Sequence, residues 1–227
     1  MDTVSYQERR GQLETYFDRT AVEAWARLTS TAPVSRIRAT VRAGRDRMRN
    51  ALLAYLPADL SSSRVLDAGC GTGALSVEAA GRGARVLAVD LSPTLVGLAR
   101  ERLPAELSAG RIDFRVGDMF DTDLGEFDHV VAMDSLIHYR LHDVVRVLAG
   151  FAARTRHSVV FTFAPKTPAL VLMWTVGRLF PRRDRAPAIE PISERALRKE
   201  LASNPALRQW RVRAANPAST RTTSCSR

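Results

Sequence analysis

The sequence predicts an α/β fold in which helices pack on a mostly parallel β-sheet. Between residues 64 and 163, short apolar runs alternate with stretches of helical periodicity, as expected for parallel strands joined by right-handed crossovers. A glycine-rich turn at residues 66–73 joins the first apolar run to the first helix of this region. The chain of 227 residues is long enough for one domain with a sizeable core.

The apolar runs and the helical stretches define the individual elements. The predicted strands cover residues 64–68, 85–90, 112–116, 127–133, 158–163 and 210–214. The predicted helices cover residues 74–82, 141–155 and 193–202. Another helix begins at Ser92, a favoured N-cap residue, with Pro93 at the first helical position.

Residues 5–56 are predicted to be helical, and Pro57 ends this region. Apolar side chains recur at three- and four-residue steps and predict one buried face. That face comprises Ile37, Val41, Gly44, Met48, Leu52 and Leu56. A second stripe at the same spacing consists of Arg38, Arg42, Arg45 and Arg49.

The charge and cysteine content limit the class of protein. The net charge of +10 comes almost entirely from arginine and suits nucleic acid, an anionic membrane or a small acid as partner. A GC-rich genome explains the arginine content equally well. The two cysteines, Cys70 and Cys225, give no disulfide framework, and the polar amino terminus lacks the pattern of a signal peptide. The longest run with few charges, residues 168–180, is well short of the roughly 20 residues that span a bilayer. We therefore expect a cytoplasmic protein.

The glycine turn predicts the class of ligand. Gly69 and Gly71 allow a sharp bend and close approach of the backbone to a ligand, and Gly73 lets helix and strand pack closely. Asp90 closes the next strand, where a ribose-binding acid is expected. A dinucleotide fingerprint would read Gly-x-Gly-x-x-Gly, but this turn reads Gly-x-Gly-x-Gly and follows Asp67. A carboxylate there repels pyrophosphate and suits the sulfonium and ammonium groups of S-adenosylmethionine.

A second motif, Gly117-Asp118-Met119, follows the third strand and offers an adenine site. Asp118 could accept a hydrogen bond from the exocyclic amine, and Met119 could pack on the ring. Taken singly, an Asp at a strand end is also expected as a helix cap, and a Met as a core residue. The order and spacing of the whole set favour a cofactor site.

This combination resembles the class I S-adenosylmethionine-dependent methyltransferases over roughly residues 60–165. The resemblance implies a Rossmann-like, mostly parallel sheet of about seven strands with an antiparallel strand near one edge. We expect cofactor contacts, and no metal ligands, at Asp67, Gly69, Cys70, Gly71, Gly73, Asp90, Leu91, Asp118, Met119 and Asp134.

A narrower resemblance extends from about residue 16 to residue 201. The segments that carry it are residues 16–17, Trp25, and residues 32–38, 136–139, 161–168 and 179–187. They are similar to the magnesium-protoporphyrin O-methyltransferase family, which implies methylation of one propionate of magnesium-protoporphyrin IX in (bacterio)chlorophyll biosynthesis. The resemblance assigns substrate handling to Tyr16 and His138. It also makes a magnesium chelatase subunit and the photosynthetic membrane surface candidate partners.

The implied reaction divides the chain into functional parts. We expect a helical substrate lid at residues 1–57 and a Rossmann-like domain at residues 58–215, with a substrate-side insertion at about 165–192. The insertion carries Arg182, Arg183 and Arg185 as a cationic rim, although a solvated basic loop explains each arginine equally well. Residues 216–227 lack the apolar strand typical of the family and are expected to form a polar, disordered tail that leaves a sheet edge unpaired.

Two other functions fit parts of the sequence. One is methylation of RNA or of another small acid, although no aromatic-basic stacking motif supports nucleic-acid binding. The other is a porphyrin-carrying protein without catalysis. The intact glycine turn and Asp90 argue against a carrier, because carriage alone does not need them.

Overall fold

The computed structural model describes residues 8, 10, 11, 13–16, 18, 36–107, 111–166, 189–215 and 221–226. The helices are α1 (Arg36–Leu53), α2 (Ala74–Gly81), α3 (Pro93–Glu101), α4 (Leu141–Ala153) and α5 (Glu194–Ser203). The strands are β1 (Arg64–Ala68), β2 (Arg85–Asp90), β3 (Ile112–Val116), β4 (Phe127–Ala132), β5 (Thr155–Phe163), β6 (Arg211–Ala215) and β7 (Arg221–Ser226). The described residues between 8 and 18 are also helical. The predicted α/β Rossmann-like fold is confirmed.

The strands form one sheet in the order β3-β2-β1-β4-β5-β7-β6. The five strands from β3 to β5 are parallel, and β7 runs antiparallel between β5 and β6. The direction of winding reverses at β1, which pairs with β2 on one side and with β4 on the other. In such sheets the carboxyl ends of the strands at the reversal open a crevice for a ligand.

Successive side chains of a strand point to opposite faces of the sheet, so apolar side chains lie on both faces and helices cover both. In β1, Leu66 belongs to one buried cluster and Val65 to the other. The first cluster includes side chains of α4 and α5, whereas the second includes side chains of α1, α2 and α3. No helix in the described part of the chain is long and apolar enough to cross a membrane.

The buried face of α1 is shorter than the spacing predicts. Met48 and Leu52 are buried as expected, but Val41 is 46% exposed. The last turns of α1 belong to the buried cluster, whereas Arg42 and Arg45, nearer the middle of the helix, line a cavity. Val41 therefore does not belong to either buried cluster.

The predicted disordered tail is wrong over residues 221–226, which form β7. This strand pairs along β5 from Ser158 to Phe163 and also pairs with β6, so the edge of β5 is not left unpaired. Buried backbone groups of β5 need hydrogen-bond partners, and a polar segment supplies them as well as an apolar one. The β-branched Thr222 and Thr223 also favour an extended backbone. Residues 216–220 and most of the predicted insertion, residues 167–188, lie outside the described residues.

Candidate active site

A cavity of about 490 Å³ lies at the carboxyl ends of the central strands. Nine of the ten predicted cofactor residues line it: Asp67, Gly69, Cys70, Gly71, Asp90, Leu91, Asp118, Met119 and Asp134. His138 and Tyr139 line the same cavity, as do Arg42, Arg45, Asp46 and Arg49 of α1. Gly73 and Tyr16 are not among the lining residues. The fold thus brings His138, one of the two predicted catalytic residues, to the predicted cofactor site. Tyr16, the other, does not line the cavity.

The glycine turn is held tightly against neighbouring strands. The amides of Gly69 and Cys70 donate to the carbonyl of Val89 at 2.8 and 3.0 Å. Gly69 has φ +83°, and a Cβ atom there would lie 2.5 Å from the Cβ of Ser135. Only glycine fits this position, because both the backbone conformation and the space exclude a side chain.

Gly73 serves packing, as the sequence predicts. It is the N-cap of α2, with φ +79°. A Cβ atom there would lie 2.8 Å from the ring of Phe114 on β3 and 3.2 Å from Ala99 on α3. This close contact packs the start of α2 against β3 and α3, and a cofactor contact of Gly73 stays a prediction.

Asp90 connects the glycine turn to α3. Its carboxylate accepts hydrogen bonds from the amide of Gly71 at 2.8 Å and from the amide of Ser92 at 3.0 Å. Burial raises the pKa of Asp90, and these hydrogen bonds oppose the rise. A carboxylate has about four lone-pair sites, so the same group can both fix the turn and accept from a ligand hydroxyl.

Asp67 lies beneath the turn and is 1% exposed. It accepts a hydrogen bond from the Ser76 hydroxyl at 2.6 Å. Burial raises the pKa of Asp67 to about 7, although the Ser76 hydrogen bond opposes the shift. A cation in the cavity would favour the ionised form of this carboxyl group.

The predicted adenine site lies near the amino-terminal helical residues. Asp118 accepts from the amide of Phe120 at 2.9 Å, and its Oδ2 is 3.6 Å from Nε of Arg10. Met119 is buried and lines the cavity, as does Leu13 from the amino-terminal segment. This segment is therefore part of the cavity wall.

The amino-terminal segment is also attached at the start of α3. Asp18 accepts from the Thr94 hydroxyl at 2.6 Å and from the Thr94 amide at 3.2 Å. A carboxylate is favourable at a helix N-terminus, because the first amides of the helix need acceptors. This contact joins residues 76 positions apart and could not be predicted from a local sequence pattern.

Asp134 follows β4 in an uncommon backbone conformation. Its φ is +58°, the sole positive value outside glycine among the described residues. Its amide donates to the Thr162 hydroxyl at 2.8 Å, and its carboxylate lies 2.6 Å from Nη1 of Arg45. Burial raises the pKa of Asp134, whereas the Arg45 charge lowers it. The conformation costs about 1–3 kcal/mol, a level of strain that is common at functional sites.

The two predicted catalytic residues differ in position. His138 is 7% exposed and ends a 3-10 turn, Leu136–His138, that begins four residues after β4. Tyr16 is half-buried, and burial raises the pKa of its phenol above the ordinary value of 10. A role for Tyr16 stays a prediction.

The cavity fits S-adenosylmethionine on several counts. It has the usual size of a small-molecule site and places buried acids where a sulfonium and an ammonium need them. Gly69 leaves a backbone surface that a Cβ atom would fill. The buried hydroxyl of Ser135 lacks a hydrogen-bond partner within the described residues, so a polar ligand group could satisfy it. Among those residues, no cluster of three His, Cys, Asp or Glu side chains could hold a metal ion.

Comparison with known proteins supports this interpretation. Residues 132–222 match the family model "Magnesium-protoporphyrin IX methyltransferase C-terminus", and residues 65–158 match a methyltransferase domain model. A magnesium-protoporphyrin O-methyltransferase of Rhodobacter capsulatus is 56% identical, with 82% of this chain and 83% of that protein covered. One from Synechocystis is 31% identical, with 83% of each covered. The crystal structure of the magnesium protoporphyrin IX methyltransferase from Synechocystis with bound SAH superposes with a TM-score of 0.81. It shows 27% identity and covers 96% of this chain and 99% of that one.

Proposed function

This chain belongs to the magnesium-protoporphyrin O-methyltransferase family, and on that premise we propose that it methylates a propionate of magnesium-protoporphyrin IX. The methyl donor is S-adenosylmethionine. The observation that carries the proposal is the shared cavity, in which the glycine turn with its buried acids faces His138 and the arginines of α1. A carrier without catalysis would not need this combination.

The cofactor supplies a methyl group on a positively charged sulfur. On the protein side, Asp67 lies where it would favour a cation, and Asp90 is placed to accept from the ribose. Asp118 and Met119 lie together on the same wall and would receive the adenine. These assignments rest on the position of each residue in the cavity.

The acceptor needs little activation. A propionate is ionised at neutral pH, since carboxyl groups of this kind titrate near 4 to 5, so no general base has to remove a proton. The methyl group moves from sulfur to a carboxylate oxygen, and the lone pair of that oxygen forms the new bond. Catalysis then depends on in-line positioning and on removal of water from the oxygen. We assign positioning to His138, with Tyr16 on the amino-terminal side, and water exclusion to the amino-terminal lid.

A labelled-methyl assay tests the proposal. The protein is incubated with methyl-labelled S-adenosylmethionine and with magnesium-protoporphyrin IX, metal-free protoporphyrin or bulk RNA. We expect label in the magnesium porphyrin as a base-labile monomethyl ester, and little in the other two. Label in RNA alone, or in no acceptor while SAH still binds, would contradict the proposed substrate.

Partners beyond the porphyrin stay predictions. A magnesium chelatase subunit and the photosynthetic membrane surface are candidate partners that the family resemblance implies. Co-sedimentation with anionic vesicles, and with the chelatase subunits, would test each contact separately.

Asp67 predicts a pH dependence of cofactor binding. Its pKa of about 7 lies above the ordinary 3.8, so the folded protein without cofactor holds this carboxyl group protonated through much of the range between. In that range its contribution to the free energy of unfolding falls as the pH rises. A bound ammonium favours the ionised form, so the affinity for SAH should rise by up to about tenfold per pH unit below pH 7 and level off above it.

The measurement is calorimetric titration with SAH between pH 5.5 and 7.5, below the range in which an α-amino group loses its proton. Asp67→Asn keeps the shape of the side chain and removes the titration. We expect a flatter pH profile in this variant than in the wild type. Parallel profiles for the two proteins would exclude Asp67 as the titrating group.

A further inference from the structure

Arg45 in the arginine stripe of α1 reaches Asp134, just beyond the end of β4. Nη1 of Arg45 lies 2.6 Å from Oδ2 of Asp134, and these side chains are 23% and 18% exposed. The helix that carries Arg45 is anchored three and seven positions later by the buried Met48 and Leu52. The guanidinium is therefore held on a packed helix against a carboxylate in a fixed position.

The acids on the cavity wall oppose the binding of a second ligand that carries a carboxylate. Five acids line the cavity, Asp46, Asp67, Asp90, Asp118 and Asp134, and each would repel an incoming anion when ionised. Burying a carboxylate is costly unless a hydrogen-bonded cation accompanies it. Within the described residues, the lysine and arginine side chains on the cavity wall all come from α1.

Arg45 and Arg49, two of the arginines of α1 on this wall, differ in their partners. Arg49 pairs with Glu78 of α2, and this contact joins α1 to α2. It also pairs with Asp46 of its own helix at 2.9 Å. Arg45 instead reaches the carboxyl end of β4, four residues before His138. A guanidinium has five N–H donors in a planar fork and can bind two carboxylates at once.

We propose that Arg45 binds the reacting propionate of the substrate and that Asp134 holds its guanidinium in place. The inference rests on the proposed function and deepens it by naming a residue that recognises the acceptor. The ion pair joins α1 to the segment that follows β4, and Asp134 has an uncommon backbone conformation at the position that meets the helix. The cofactor also carries a carboxylate, so the test has to separate the two sources.

Arg45→Gln is compared with Arg47→Gln, a matched loss of charge at an exposed position of the same helix. Binding of magnesium-protoporphyrin IX and of its dimethyl ester is followed by porphyrin fluorescence in the presence of saturating SAH. Arg45→Gln should bind the diacid about tenfold or more weakly, the usual effect of losing a hydrogen bond to a charged group, and should bind the ester like the wild type. Arg45→Lys should recover part of the affinity, and Arg47→Gln should match the wild type with both ligands.

Several outcomes would overturn the inference. Equal losses for diacid and ester would indicate a packing role, and wild-type binding of both would remove Arg45 from recognition. A loss confined to SAH affinity would assign the guanidinium to the cofactor carboxylate. A wild-type protein that does not methylate magnesium-protoporphyrin IX would refute the proposed function, whereas normal methylation and diacid binding by Arg45→Gln would refute this inference alone. Far-ultraviolet circular dichroism and thermal unfolding establish that each variant is folded.

Discussion

Replacing His138 with alanine is expected to reduce methyl transfer by about 100-fold, the size of effect that misplacement of a reacting group by about 1 Å can produce. His138 is buried, lines the cavity and follows β4. The proposed function assigns it to the positioning of the acceptor. It does not belong to the glycine turn that would hold the cofactor. Affinity for SAH should therefore change by less than about threefold.

Steady-state rates and SAH titrations on the same preparation separate the two quantities. His142→Ala is the matched control, because His142 is a 60% exposed side chain on α4 outside the cavity wall. It should retain both activity and SAH affinity. Equal losses of turnover and SAH affinity in His138→Ala would count against a role on the substrate side.

Replacing Asp90 with alanine should weaken SAH binding by roughly 1–3 kcal/mol, the cost of leaving buried polar groups without a partner. The change removes the acceptor for the amides of Gly71 and Ser92, so the turn loses its connection to α3. It also removes the expected partner of the ribose. In terms of affinity, the loss is about 5- to 150-fold.

Calorimetry with SAH measures this loss directly. Asp113→Ala is the control, since Asp113 is 56% exposed on β3, pairs with Arg115 and is not among the residues that line the cavity. Its SAH affinity should equal that of the wild type. An unchanged affinity in Asp90→Ala would remove Asp90 from the cofactor site, whatever the effect on stability.

The central strands could be predicted because each is an apolar run bounded by a turn. β1, β2 and β3 begin and end where the sequence indicates. β5 begins at Thr155, three residues before the predicted start. The prediction missed these residues because they are polar, and Arg156 and His157 are exposed. A hydrophobic pattern marks the buried part of a strand and misses the part that extends into solvent.

β7 could not be predicted from its composition. Its backbone pairs with β5 in the sheet, but its side chains do not form an apolar run that would predict a strand. Pairing of a polar segment depends on the free edge of a strand some 60 residues earlier in the chain. Such a partner is known only once the fold is known.

The cofactor side of the cavity was predictable, whereas the wall formed by α1 was not. Glycines and acids at strand ends are local signals, and nine of the ten residues they indicated line the cavity. The pair Arg45–Asp134 joins positions 89 residues apart. The spacing of the arginines in α1 indicates that they share a helix face, but it does not identify the residues that this face contacts in the folded protein.

A crystal structure of this protein with SAH would test most directly that the glycine turn holds the cofactor beside the acceptor site. We expect the adenosine to lie between Asp90 and Asp118, with the amino acid end towards Asp67 and Asp134. His138 should remain accessible from the open part of the cavity. SAH bound elsewhere, with the turn at Gly69 and Gly71 making no contact to it, would contradict the account.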